Sequence, residues 1–171
     1  MAARNILVTG PPRSGKSTLI EKAISLIQTP MTGFFTREIR ESGRRVGFSI
    51  ATLDGKTGVL AHRKIKGRFK VGPYGVDLQD LDQIAVPSML PSRPGEAVVV
   101  DEIGKMECFS PLFKKTLLDA LNSEHQLIGS IAIKGDNFIQ NIKKRGDIIL
   151  ISIPESDRDS ALELLLAKIG R

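Results

Sequence analysis

A nine-residue run near the N-terminus, Gly10-Pro11-Pro12-Arg13-Ser14-Gly15-Lys16-Ser17-Thr18, restricts the architecture more than any other part of this chain. It follows the apolar run Ile6-Leu7-Val8 and precedes apolar residues at helical spacing, Leu19, Ile20, Ala23, Ile24 and Ile27. The order is strand, glycine loop, helix. Glycines let a backbone approach a ligand closely, and a helix N-terminus offers N–H groups and a positive dipole end to an anion. The same dipole disfavours a cation at a helix start, so a purely structural turn has no use for Lys16. Gly10, Gly15, Lys16 and Ser17 have the spacing of a phosphate-binding loop, in which the lysine reaches the β- and γ-phosphates of a nucleoside triphosphate and the serine hydroxyl ligates Mg²⁺. Pro11, Pro12, Arg13, Ser14 and Thr18 complete the expected nucleotide-binding set.

The remainder supplies the frame for such a loop. Phe34, Phe35, Ile39, Val46, Phe48, Ile50 and Val59 are interspersed with Gly43, Gly47, Gly55 and Gly58, which predicts a β-hairpin or meander. The basic stretch from His62 to Lys70 is expected at the surface, Gly72-Pro73-Tyr74-Gly75 punctuates it, and a short helix is expected from Leu78 to Val86. From Ala97 onward strands alternate with helices: strands at 97–100, 127–133 and 148–153, helices at about 111–121, 138–143 and 160–169. Alternation of this kind predicts an α/β fold of three layers around a mostly parallel central sheet, with the meander inserted at about 32–75. At 171 residues the chain fits one domain spanning 1–171.

The strand Ala97-Val98-Val99-Val100 is apolar without interruption, as expected of one buried on both faces, and it runs into Asp101-Glu102. A buried strand that ends in a carboxylate beside a phosphate loop delivers that carboxylate to the Mg²⁺ coordination shell, the role expected of Asp101. Glu102 cannot duplicate it, and its position suits a general base that orients an attacking water. Lys105 is a candidate to stabilise the transferred phosphate's charge or to pair with a carboxylate. Arg37 is a candidate transition-state cation, against the plainer reading of a surface arginine. Tyr74 is open to stacking on a base or to packing in its loop.

Composition narrows the partners. Hydrophobic residues make up 41% and charged residues 26%, the profile of an ordinary soluble protein. No apolar stretch approaches a membrane span, and no signal-peptide pattern is present, so a cytoplasmic monomer is expected. The one cysteine, Cys108, suits a reducing compartment, and His62 and His125 have no metal-ligand spacing. The net charge of +6 fits a polyphosphate ligand and also leaves open a nucleotide-switched RNA- or DNA-binding module, although Arg63-Lys64-Ile65-Lys66-Gly67-Arg68-Phe69-Lys70 lacks interleaved aromatics. A P-loop small-molecule kinase with the basic stretch as a lid is the other alternative to a triphosphatase.

The run Asp101-Glu102-Ile103-Gly104-Lys105-Met106-Glu107 resembles the signature of the THEP-type, or cancer-related, nucleoside-triphosphatases. The resemblance extends through Gly33-Phe34-Phe35-Thr36-Arg37-Glu38-Ile39-Arg40, Val46-Gly47-Phe48, Val71-Gly72-Pro73-Tyr74 and Phe109-Ser110. It implies a RecA-like, additional-strand P-loop fold and Mg²⁺-dependent hydrolysis of ATP, GTP and other nucleoside triphosphates, with low base selectivity. By position it gives Lys16 and Ser17 the phosphate and magnesium roles, Asp101 the metal-water role and Glu102 the base role. Two departures stand out: Arg13 replaces a glycine usual in the family's loop, and Asp157, within Ser156-Asp157-Arg158-Asp159, replaces an asparagine.

Overall fold

The computed structural model describes residues 4–153 and 157–169. The chain opens with β1 (Asn5–Gly10) and α1 (Lys16–Ser25), and continues through five strands, β2 (Met31–Glu41), β3 (Arg44–Thr52), β4 (Thr57–His62), β5 (Lys70–Val71) and β6 (Tyr74–Val76). A broken helical stretch follows: α2 (Leu78–Asp80), a π-helical turn at Leu81–Ala85 and α3 (Val86–Ser88). The alternating half consists of β7 (Ala97–Ile103), a 3₁₀ turn at Glu107–Phe109, α4 (Pro111–Asn122), β8 (Leu127–Ala132), α5 (Asn137–Lys143), β9 (Ile148–Ser152) and α6 (Arg158–Lys168).

All nine strands join one sheet in the order β5-β6-β4-β3-β2-β7-β8-β1-β9. The five from β2 to β9 are parallel, and β3, β4, β6 and β5 continue the sheet antiparallel. The expected meander is therefore continuous with the central sheet, because β2 pairs with β7 on one side and with β3 on the other. β8 lies between the loop-bearing β1 and the acidic β7, which is the additional strand that the resemblance implied. Parallel pairing puts the C-terminal ends of β1, β7 and β2 at one edge, where ligands bind in open α/β sheets.

Alternating side chains feed two cores. Ile6, Val8 and Val99 pack with Leu19, Ile20 and Ala23 of α1 and with Ala161 and Leu165 of α6 on one face. Leu7, Val98 and Val100 pack with Leu117 and Leu121 of α4, Ile139 and Ile142 of α5, and Leu81 and Met89 on the other. Helix starts are fixed by side chains: Ser110 accepts from the Phe113 N–H at 2.9 Å ahead of Pro111, and Asp136 accepts from the Ile139 N–H at 3.0 Å. The strand expected to close at Asp101-Glu102 runs on to Ile103, with its pairing to β8 shifted between Val100 and Ile103. No helix among the described residues is long and apolar enough to cross a membrane.

The strands on either side of β7 approach it closely through glycine. A Cβ at Gly33 in β2 would stand 1.9 Å from the Val99 carbonyl oxygen, and one at Gly129 in β8 would stand 2.2 Å from that of Val100. Gly129→Ala should lower the urea unfolding midpoint by an amount equivalent to about 1–3 kcal/mol, the usual cost of overpacking a tight interior. An unchanged midpoint would show that β8 has room to move away from β7.

Candidate active site

The loop between β1 and α1 sits at the C-terminal edge of the sheet as one wall of a cleft of about 910 Å³. Gly15, at φ +88°, caps α1 with no side-chain hydrogen bond, so the first-turn N–H groups of the helix are available to an anion. The loop is drawn tight by the Ser14 N–H bonding to the Pro11 carbonyl at 3.1 Å, and Lys16 Nζ reaches back to the Gly10 carbonyl at 3.1 Å. Arg13 adopts φ +63°. That left-handed backbone costs an L-residue about 1–2 kcal/mol, which is the physical reason a glycine suits this position. The Arg13 side chain lines the cleft.

β7 supplies the opposite chemistry. Asp101 is 1% exposed, with Ser130 Oγ of β8 donating to its Oδ1, while its Oδ2 is buried with no hydrogen-bond partner among the described residues. Burial pushes the Asp101 carboxyl up to about 6; the Ser130 and Ser17 hydroxyls pull it down, and the Glu102 charge adds to the rise. Glu102 is half-buried, and its Oε2 pairs with Lys16 Nζ at 3.1 Å. A Cβ at Gly104 would stand 2.9 Å from both Glu102 Oε1 and Glu107 Oε2, so the glycine makes room for two carboxylates. Glu107 is buried, and burial, reinforced by the Glu102 charge, raises it well above the usual carboxylate range.

The cleft gathers Gly10, Pro12, Arg13, Ser14, Gly15, Lys16, Ser17, Thr18, Arg37, Asp101 and Glu102 of the expected residues. Pro11 is outside its lining, and Lys105 is exposed and outside it too. Arg37 reaches the cleft from β2 but is 57% exposed and paired with Glu21 of α1 at 2.9 Å. Asp157 is occupied in capping α6, accepting from the Ser160 N–H at 3.0 Å; Ser156 lies outside the described residues. Tyr74 is buried beneath Arg45 and Arg63 and takes the packing role.

Several residues at the cleft carry no sequence motif. Ser130 comes from β8, Lys134 from just beyond it, and Arg45 and Phe48 from β3. Arg45 is held in place by Glu38 at 3.1 Å and the Tyr74 hydroxyl at 3.0 Å, with its guanidinium 5.1 Å over the Phe48 ring. Lys143 of α5 donates to the Ile133 carbonyl at 2.8 Å, and burial together with the charge of Lys16 holds it below the ordinary lysine range.

A family profile described as NTPase matches residues 5–166. The nucleoside-triphosphatase THEP1 of Thermotoga petrophila is 43% identical over 162 residues, covering 94% of this chain and 90% of the relative. The chain belongs to the THEP1 nucleoside-triphosphatase family. The human cancer-related nucleoside-triphosphatase is 37% identical over 177 residues, covering 94% and 93% of the two chains. THEP1 from the hyperthermophile Aquifex aeolicus shares the fold with a TM-score of 0.88 at 28% identity, over 98% of this chain and 99% of that one. Membership makes the chain an enzyme of the triphosphate-hydrolysing class, built on the P-loop α/β fold described above.

The raised Asp101 carboxyl has a consequence for stability. The folded state binds its proton more tightly than an unfolded aspartate, with an ordinary value of 3.8, so stability is fully present below that value and is lost as pH rises through about 6. The loss corresponds to about 3 kcal/mol. In metal-chelating buffer Asp101→Asn should therefore be more stable than the native protein at pH 7 and should lose that advantage at pH 4, as followed by denaturant unfolding. A stability difference independent of pH would show that Asp101 is not desolvated.

Proposed function

We propose that this enzyme hydrolyses nucleoside 5′-triphosphates, ATP and GTP among them with low base selectivity, to the diphosphate and inorganic phosphate in a Mg²⁺-dependent reaction. The observation that carries this reading is the placement of Glu102 in the same cleft as Lys16, Ser17 and Asp101, with its carboxylate 3.1 Å from the loop lysine. A carboxylate there lies on the side of the cleft where a γ-phosphate held by Lys16 would meet water.

The donor set fits a magnesium ion. Among the described residues Asp101 Oδ2 has no hydrogen-bond partner, Ser17 supplies a hydroxyl in the same cleft, and no cluster of three or more His, Cys, Asp or Glu exists. Mg²⁺ is commonly held by one or two protein oxygens with waters and substrate phosphates making up the rest, and dedicated all-protein cages are unusual for it. Ser17 and Asp101 would hold the ion, Asp101 through water. When bound, it neutralises charge on the β- and γ-phosphate oxygens.

The chain's own groups do the rest. The first-turn N–H groups of α1 and the buried Ser14 Oγ, which also has no partner among the described residues, receive phosphate oxygens. Lys16 transfers its charge from Glu102 to the γ-phosphate. Glu102, released, accepts a hydrogen bond from the attacking water and takes its proton as the water oxygen bonds to the γ-phosphorus and the bridge to the β-phosphate breaks. Arg45 replaces Arg37 as the cation best fixed in place on the far wall, since its contacts are with Glu38, Tyr74 and Phe48 of the same sheet.

Glu102→Gln should keep nucleotide binding and reduce phosphate release by roughly 10²-fold or more, the contribution typical of a general base. Phosphate release across ATP, GTP, CTP and UTP without any added acceptor checks this, and unchanged turnover would remove Glu102 from the role. Consumption of triphosphate only in the presence of an acceptor would make the chain a phosphotransferase instead.

A further inference from the structure

We infer that the tip of the antiparallel extension is a binding surface for single-stranded nucleic acid, contiguous with the mouth of the catalytic cleft. Between Leu60 and Val76 the chain carries Arg63, Lys64, Lys66, Arg68 and Lys70 and no carboxylate, which accounts for nearly all of the +6 net charge. These five side chains are exposed, as is the neighbouring Arg44, and none of the six forms an ion pair among the described residues. Charge scattered for solubility would be mixed in sign and spread over the surface. Here it is segregated onto one segment.

Edge protection explains only part of this. Lysine on an edge strand discourages pairing with other sheets, and Lys70 of β5 fits that use. Lys64 and Lys66 lie in the connection before β5, where there is no strand to protect.

The folded chain also supplies the aromatic partners that the linear run lacked. Arg63 lies 5.6 Å over the Tyr74 ring, Arg68 lies 4.8 Å over Phe69, and Phe69 packs on Phe109 at 5.4 Å. Two exposed guanidinium groups are thus placed over aromatic rings at the surface. Unstacked bases pack on arginine planes, and the flanking lysines meet the phosphates. A lipid headgroup or an acidic peptide meets the charge and the hydrogen-bonding edge of a guanidinium but brings no base to stack on its face.

The surface is joined to the cleft by one ring. Arg45, which lines the cleft, lies over Tyr74 at 5.5 Å alongside Arg63, and the Arg63 N–H bonds to the Val46 carbonyl at 2.9 Å. A strand lying on Arg63 and Arg68 therefore ends within one side chain of the catalytic cleft.

The test is fluorescence anisotropy of a labelled 20-nucleotide oligouridylate titrated with the full chain at rising NaCl. The affinity should fall with salt at a logarithmic slope of about −2 to −3.5, the range for three to five phosphates neutralised on a single strand. The triple variant Lys64→Glu/Lys66→Glu/Lys70→Glu should bind at least tenfold more weakly while hydrolysing triphosphate without RNA at a rate within twofold of native. Arg68→Lys, which keeps the charge and loses the plane, should weaken binding threefold or more. No binding at 25 mM NaCl, native-like binding by the triple variant or by Arg68→Lys, or tighter binding to polyglutamate or phosphatidylserine vesicles than to RNA would each overturn the assignment.

Discussion

Asp101 carries a carboxylate into the interior at the end of an apolar strand, where Ser130 Oγ donates to one oxygen and the nearby Ser17 hydroxyl also favours the charge. Burying an ionisable group this way is unfavourable unless the surroundings hold it in place. The strand order provides that restraint. β2 and β8 flank β7 closely at Gly33 and Gly129, and β8, interposed between β1 and β7, brings Ser130 to the carboxylate while setting the phosphate loop one strand further away. Removing β8 from that place would leave the carboxylate without its donor and would change the separation between the loop and the acidic strand. Much of the parallel half of the sheet is thus arranged around a single charge.

The two halves of the sheet divide the work. The central parallel strands β1, β7 and β8, covered on both faces, fix the loop, the buried aspartate and Glu102 in a rigid frame. The antiparallel extension, packed against the helical stretch from Leu78 to Ser88, brings side chains from β2 and β3 to the far side of the cleft. Because β2 belongs to both halves, the far wall has a fixed register relative to the acidic strand.

What could be read from the sequence was what is contiguous in it. The loop from Gly10 to Thr18 and the pair Asp101-Glu102 each declare themselves within a few residues, and the apolar alternation around them gave nearly all the strands and helices. The cleft's other contributors are assembled across long stretches of chain. Ser130 is an ordinary serine in an apolar strand until β8 is laid beside β7, and Arg45 is one of several arginines at a hairpin until Tyr74 and Phe48 are folded against it. Lys105 shows the converse, since proximity in sequence to Glu102 placed it among the candidates and the turn after β7 carries it to the outside. Arg13 was visible as a departure, but its meaning came only with its backbone angle.

The contact between Lys16 and Glu102 makes the protein its own competitor. In this pair the lysine's charge is partly neutralised by the carboxylate 3.1 Å away, so on the proposed roles each group restrains the other. A ligand that offers Lys16 a stronger anion breaks the pair and frees both groups at once. On the proposed mechanism, the bond that restrains the loop lysine is the same one that holds the carboxylate away from water until an anion arrives.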